Sequence, residues 1–370
     1  MTRSAARAGL LLSLVAEPGD PRLVEWRERC DPIELWQTVV RGGAEVPERW
    51  HDASADATRR CDAALRKSEA IGARWVAPGS AAWPAALDDL DHVEGIGQVA
   101  GAPLGLWVRG GGDLSAIAAA PVAIVGARGC TTYGAETASD IAADCADQGH
   151  AIVSGAAFGI DACAHRGALL GGGPTVAVMA CGVDVDYPRT HAALLGRIAE
   201  DGLVISEFAP GAEPQKHRFL VRNRVIAALS VGVVVVEAAR RSGSLNTLHW
   251  ADQLGRTTMV VPGPVTSQTS TGTHLAVRDG KALLVTSGRD VIADTFGVVE
   301  EELPVVGPGA RRVWTRLGAE PQGADRIAAA LRLSTVAVHR ALRELERHGV
   351  VHSDDRGWSR DLDSASTAAG

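Results

Sequence analysis

Seven short apolar runs recur between residues 121 and 295: Val122–Val125, Ile152–Val153, Thr175–Ala180, Leu203–Ile205, Val231–Val236, Met259–Val261 and Leu283–Val285. Most of the intervals between them carry apolar residues at helical spacing. Near-continuous Val/Ile runs alternating with helices require a parallel sheet covered on both faces. Right-handed crossovers then give an α/β, extended Rossmann-like parallel sheet.

The flanks differ in texture. Residues 1–70 are rich in Ala, Arg and Trp with helical spacing (Leu23, Trp26, Cys30; Ile33, Trp36, Val40), which predicts a small helical domain. Residues 71–120, punctuated by Pro and Gly, read as a connector. The Rossmann-like domain spans 121–295 and a Glu-, Pro- and Gly-rich linker 296–310. Residues 311–362 form a last domain. There "RRVWTRLG", "GADRIAAALRL" and "STVAVHRALRELERHGVVHSDDRGW" predict three helices and two short strands, a winged-helix pattern. Val338, Leu342 and Leu345 make the core stripe of its third helix, Arg340, Arg343 and Arg347 share another face, and Ser334 fits the N-cap. Those three arginines are candidates for additional DNA binding.

Several function classes drop out on composition. The net charge of −7 gives no global attraction to a polyanion, so any nucleic-acid surface must be a local cluster. The six cysteines form no C-x-x-C pair and no metal-ligand spacing, which predicts apolar fillers in a reducing compartment and no metal. Arg3 and Arg7 before a short apolar run read as an ordinary first helix ending at Pro18-Gly19. No run approaches the ~18 apolar residues of a membrane span. A cytoplasmic protein is expected.

In such a sheet, ligands sit beyond the carboxyl ends of the strands, where Gly-rich turns and helix amino termini present free N–H groups. "GARGCTTYG" follows the first run with Gly126, Gly129 and Arg128; "SGAAFGIDACAH" follows the second with Ser154 and Gly155; "RSGSLNT" carries Ser242, Gly243 and Ser244. Three such turns beside Arg128 point to a phosphate surface. Without G-x-G-x-x-G or a suitably placed acid, a dinucleotide cofactor is not expected. Asp161 and His165 read as a hydrogen-bonded pair four residues apart at a helix start, and Asp184 and Asp186 as turn residues. No nucleophile–base–orienter set emerges, so no catalytic residue is assigned.

The segment "PQKHRFLVRNR" holds Lys216, Arg218, Arg222 and Arg224 without an acid, with Phe219 among them and Asn223 between the last two arginines. Cations that track a phosphate backbone and a ring that stacks on a base are what single-stranded nucleic acid needs. The same residues also fit a solvated basic loop whose Phe enters the core and whose Arg222 or Arg224 pairs an internal carboxylate.

Seven ordered motifs, "VAIVGARGCTTYG", "IVSGAAFGIDACAHRGAL", "TVAVMACGVDVDYP", "VISEFAPG", "RFLVRNRVIAALS", "VVVVEAARRSGSLNT" and "VVPGPVTSQTSTGTHL", resemble the DNA-processing protein A (DprA, also called Smf) family of bacteria. The resemblance is dense over roughly 105–290. It implies a non-enzymatic, single-stranded-DNA-binding recombination mediator that protects incoming DNA during natural transformation in competent cells. It also implies loading of the recombinase RecA and a homodimer formed through the Rossmann domain. By the same resemblance Arg128, Lys216 and Phe219 form the DNA pocket, Arg222, Asn223 and Arg224 border it, and Ser154, Gly155, Ser242 and Gly243 lie on matching turns. Leu248 and Trp250 depart from the family pattern, as does Ala127, which replaces a hydroxyl residue. The competing readings are a nucleotide-monophosphate phosphoribohydrolase of related fold, against which the missing Pro-Gly-Gly-x-Gly-Thr loop speaks, and a winged-helix interaction or regulatory protein.

Overall fold

The computed structural model describes residues 2–297, 306–318, 320–331 and 333–360. They fall into two compact units divided after Gly297.

The first unit opens with helices α1 (Arg3–Val15), α2 (Pro21–Arg27), α3 (Pro32–Arg41) and α4 (Glu48–Ala70). Asp20 and Asp31 cap α2 and α3, each ahead of a proline at the first helical position. Strands β1 (Ala73–Val76) and β2 (Leu106–Arg109) follow, and then the short helix α5 (Leu114–Ile117). The alternating part runs β3 (Val122–Val125), α6 (Thr132–Asp147), β4 (Ile152–Ser154), α7 (Ile160–Leu170), β5 (Thr175–Val178), α8 (Ala192–Asp201) and β6 (Leu203–Ser206). It continues through α9 (Arg218–Leu229), β7 (Gly232–Val235), α10 (Ser244–Gln253), β8 (Thr257–Val260), α11 (Thr271–Arg278), β9 (Leu283–Leu284) and α12 (Gly288–Phe296).

All nine strands join one sheet in the order β1-β2-β6-β5-β4-β3-β7-β8-β9. The block from β6 to β9 is parallel, while β2 pairs antiparallel with both β1 and β6. The chain winds outward from β3 to β6 and then returns to β3's other side as β7. The β3/β7 junction is therefore the topological switch point.

Each sequence run yields a strand within one or two residues of its bounds, because buried β-branched residues leave little choice of period. Ala123, Val125, Val153, Val176, Val178, Val233 and Val235 pack with α9 and α10, while Val122, Ile124, Ile152, Val234 and Val236 pack with α6 and α7. Leu248 and Trp250 are buried in the first of these clusters, so the departures on α10 are packing residues.

The stretch read as a connector is part of the sheet. Its strands, "ARWV" and "LWVR", each carry an Arg and lack a Val/Ile run that would stand out between prolines and glycines, yet Trp75 and Trp107 lie directly opposite with ring centroids 5.1 Å apart. The helical segment is likewise not separate. Leu10, Leu12, Leu35 and Trp50 share one apolar cluster with Trp107, Ala177 and Val204 of the sheet.

The second unit contains α13 (Pro308–Arg316), α14 (Ala324–Leu331), α15 (Thr335–Arg347) and the hairpin β10 (Val351–Asp354)–β11 (Gly357–Arg360). Val338, Leu342 and Leu345 are fully buried and Ser334 caps α15 by accepting from the Ala337 N–H. Most of the expected linker lies outside the described residues. No helix among the described residues is long and apolar enough to cross a membrane.

Candidate nucleic-acid interface

The turns beyond β3, β4, β5 and β7 and the amino end of α9 meet at the carboxyl edge of the parallel block. Arg128 leaves the turn after β3 and is exposed; its guanidinium lies 4.7 Å from the centroid of the Phe219 ring. Phe219 sits in the first turn of α9, half-buried, and Tyr187 stands 5.5 Å from it, tilted by 41°. Lys216 is exposed just ahead of α9. Gly243, at the start of α10, is exposed beside Leu220, while Ser242 is half-buried and accepts from the Ser244 N–H. An exposed cation, two aromatic rings and a flexible ammonium thus share one rim.

The other predicted contacts turn inward. Arg218 pairs with Glu17 at 2.9 Å and lies over the Phe208 ring, so its charge is already answered within the fold. Arg224 is completely buried: it makes a two-pronged ion pair with Glu207 and donates to the Gly101 carbonyl at 2.9 Å. It has no surface to offer a phosphate, and the internal-carboxylate reading holds for it. Asn223 donates to the Gly243 carbonyl at 3.1 Å and to Asn246 at 3.4 Å, which ties α9 to α10. Arg222 is 5% exposed and donates to the Val178 carbonyl, with its guanidinium filling the space over Gly155 so completely that no Cβ would fit. The physical reason is depth along the helix: beyond its first turn α9 is enclosed on every side. With α9 packed on the sheet and on α10, positions 222–229 are all buried.

Ser154 and Gly155 are also below the surface. The Ser154 hydroxyl donates to the Ile124 carbonyl at 2.6 Å, linking β4 to β3. Asp161, in the first turn of α7, accepts from the Ala157 N–H at 3.4 Å and lies against the backbone N–H groups of Gly126 and Gly155. Burial pushes its carboxyl above the ordinary range, against the opposing pull of Arg222 and those N–H groups. His165 does not pair with it: its Nδ1 bonds the Thr175 hydroxyl at 2.7 Å, and burial takes its pKa down to about 3. Glu237, just beyond β7, accepts from the Thr131 N–H at 2.9 Å and the Thr131 hydroxyl at 2.7 Å. Asp184 accepts from the Gly211 N–H and pairs with Lys67, each at 2.7 Å, which makes it a structural turn residue.

Sequence reasoning missed three features here. Tyr187 lies in a motif read only as a turn, although an aromatic next to Asp-rich turn residues was the available signal. Asp161 and Glu237 occupy the N–H positions that the turns had been expected to leave open. The pairing of Arg218 with Glu17 joins residues 201 apart and has no local signal. In the second unit, Arg343 pairs with Glu346 at 2.6 Å while Arg340 and Arg347 are exposed. Among the described residues no cluster of three or more His, Cys, Asp or Glu could hold a metal ion.

Residues 75–296 match the family model of the DNA recombination-mediator protein A, and residues 301–355 match the DprA winged helix domain. A relative from Mycobacterium tuberculosis that carries the name DNA processing protein DprA is 38% identical over 376 residues, covering 97% of this chain and 95% of its own. The Streptococcus pneumoniae DNA processing protein DprA is 42% identical over 199 residues, 54% of this chain and 69% of its own. The crystal structure of that pneumococcal protein superposes with a TM-score of 0.64 at 31% identity, over 80% of this chain and 99% of its own. A Helicobacter pylori DNA processing protein A, whose structure is described in terms of a single-stranded DNA binding mode, superposes with a TM-score of 0.51 at 28% identity, over 60% of this chain and 96% of its own. With its sheet, its winged helix and its motif order all accounted for, this chain belongs to the DNA recombination-mediator protein A family.

Proposed function

We propose that this chain binds single-stranded DNA on the rim formed by Arg128, Lys216, Phe219 and Tyr187, and that it acts as a recombination mediator without catalysing a reaction. The observation that carries the reading is the Arg128 guanidinium held over the half-buried Phe219 ring. A cation and a ring in contact provide a phosphate partner and a stacking partner one nucleotide apart, with no readout of base edges. The single-stranded DNA binding described for the H. pylori relative supports it.

On this reading the protein is cytoplasmic, protects DNA entering during natural transformation and passes it to RecA. It works as a homodimer formed through the Rossmann-like unit. The edge of that unit at β9 supports the last point: Leu283 and Leu284 are 51% and 52% exposed beside Val277. The arginines on α15 supply a second DNA contact.

The test is fluorescence anisotropy with labelled oligo-dT at two salt concentrations. Wild type is expected to bind with a steep salt dependence, and an Arg128→Ala/Lys216→Ala variant to lose most of that affinity. Equal binding by both proteins overturns the placement on this rim, and absence of binding by wild type overturns the function.

A further inference from the structure

The turn that carries Arg128, residues 126–131, is held at both ends by carboxylates of the protein itself. At its start the Gly126 N–H faces the Asp161 carboxyl group, which accepts from the Ala157 N–H at 3.4 Å. At its end Thr131 gives both its N–H and its hydroxyl to Glu237, at 2.9 and 2.7 Å. Between them Ala127 donates to the Glu237 carbonyl at 2.7 Å and accepts from the Ile160 N–H at 3.2 Å. Asp161 is 5% exposed and Glu237 2%. Space around them is closed as well: a Cβ at Gly134 would run into the Glu237 carboxylate, and one at Gly126 would meet Ile160 at 2.6 Å.

In a nucleotide-binding sheet of this type, helix amino termini at the switch point receive a ligand's phosphate. Here the amino end of α6 faces Glu237, and the turn ahead of α7 gives its Ala157 N–H to Asp161, so carboxyl groups of the chain itself stand at both positions. Arg128 is exposed in this turn, and Ala127 before it and Thr131 after it are pinned. We propose that Asp161 and Glu237 are positioning residues for DNA binding: they replace a bound phosphate as internal anions and thereby fix the turn from which Arg128 reaches the strand. DNA phosphates consequently lie outside these helix ends, on Arg128 and Lys216, and free nucleotides find the cradle closed.

This inference rests on the function proposed above, and the test separates the two. Asp161→Asn and Glu237→Gln are made alone and in combination with Arg128→Ala, and oligo-dT affinity is measured on each folded protein. Each single carboxamide variant is expected to bind roughly tenfold more weakly, an oriented charge contact being lost. In the Arg128→Ala background the same changes are expected to cost almost nothing, because the group they position is gone. A purely structural role predicts equal losses in both backgrounds, and that result overturns the proposal, as does wild-type affinity in both single variants. Amide hydrogen exchange of residues 126–131 reads the clamp without DNA. Faster exchange confined to that turn is expected in either variant, and unchanged exchange overturns the clamp even if wild type binds no DNA at all. Where Asp161→Asn fails to fold, Glu237→Gln carries both measurements.

Discussion

Lys216 to Phe219 and Arg222 to Arg224 belong to one basic stretch, but the two halves face opposite ways. The first half lies ahead of and within the first turn of α9, where the chain has just left the surface, and it offers Lys216 and the Phe219 ring to solvent. The second half begins where α9 meets the sheet and α10. There Arg222 reaches a strand carbonyl and Arg224 a carboxylate. The difference teaches that charge density along a sequence does not measure charge at a surface. A guanidinium can be a ligand for DNA or a bolt through the core, and how far along the enclosed helix it stands decides which.

The largest effect that would sharpen this contrast comes from Arg224. Arg224→Ala leaves Glu207 buried without its partner, and we expect a loss of about 3–5 kcal/mol in urea unfolding. Oligo-dT affinity per folded molecule should stay at the wild-type value. A variant that unfolds normally but binds poorly would place Arg224 back among the DNA contacts.

The core beside Arg222 should also respond to acid. His165 has its pKa taken down to about 3 in the fold, against an ordinary value near 6.5. The unfolded chain therefore binds the proton first, so the stability lost on acidification falls between those two values. Its slope approaches about 1.4 kcal/mol per pH unit. His165→Asn should flatten this part of the urea-unfolding profile, and an unchanged slope would assign the acid sensitivity to other groups.

On the exposed half, Phe219→Ala should cost roughly 1–3 kcal/mol of oligo-dT binding with little change in the unfolding midpoint. The smallest effect belongs to Lys216. Lys216→Ala should reduce the slope of log affinity against log salt by about 0.7, the value of one single-strand phosphate contact. If Phe219→Ala instead lowered stability and spared binding, the two halves of the segment would not differ in kind.

Much of the central unit was legible in the sequence because buried parallel strands announce themselves: every apolar run from Val122 onward became a strand. Strands β1 and β2 were not legible, since each carries an Arg and a Trp where the parallel strands show a near-continuous Val/Ile run. At the site, Arg128, Lys216 and Phe219 were reached from local composition, a cation-rich stretch around a ring. The inward fates of Arg222 and Arg224 depend on Val178, Gly101 and Glu207, partners distant in sequence. Asp161 was read with His165 because four residues on a helix bring side chains together. Its carboxyl group instead takes the Ala157 N–H, and His165 takes the Thr175 hydroxyl.

The apolar cluster that joins the first helices to the sheet has a consequence for how the chain can be divided. Leu12, Leu35 and Trp50 cover residues of β2, β5 and β6, so the opening seventy residues behave as the missing half of a wall and not as an added room. A chain shortened to begin at residue 71 would bare that face to water and should be insoluble. One ended at residue 297 keeps the whole cluster and should fold by itself. The two ends of the molecule can thus be exchanged between relatives on very different terms: the last as a detachable piece, the first only together with the sheet it seals.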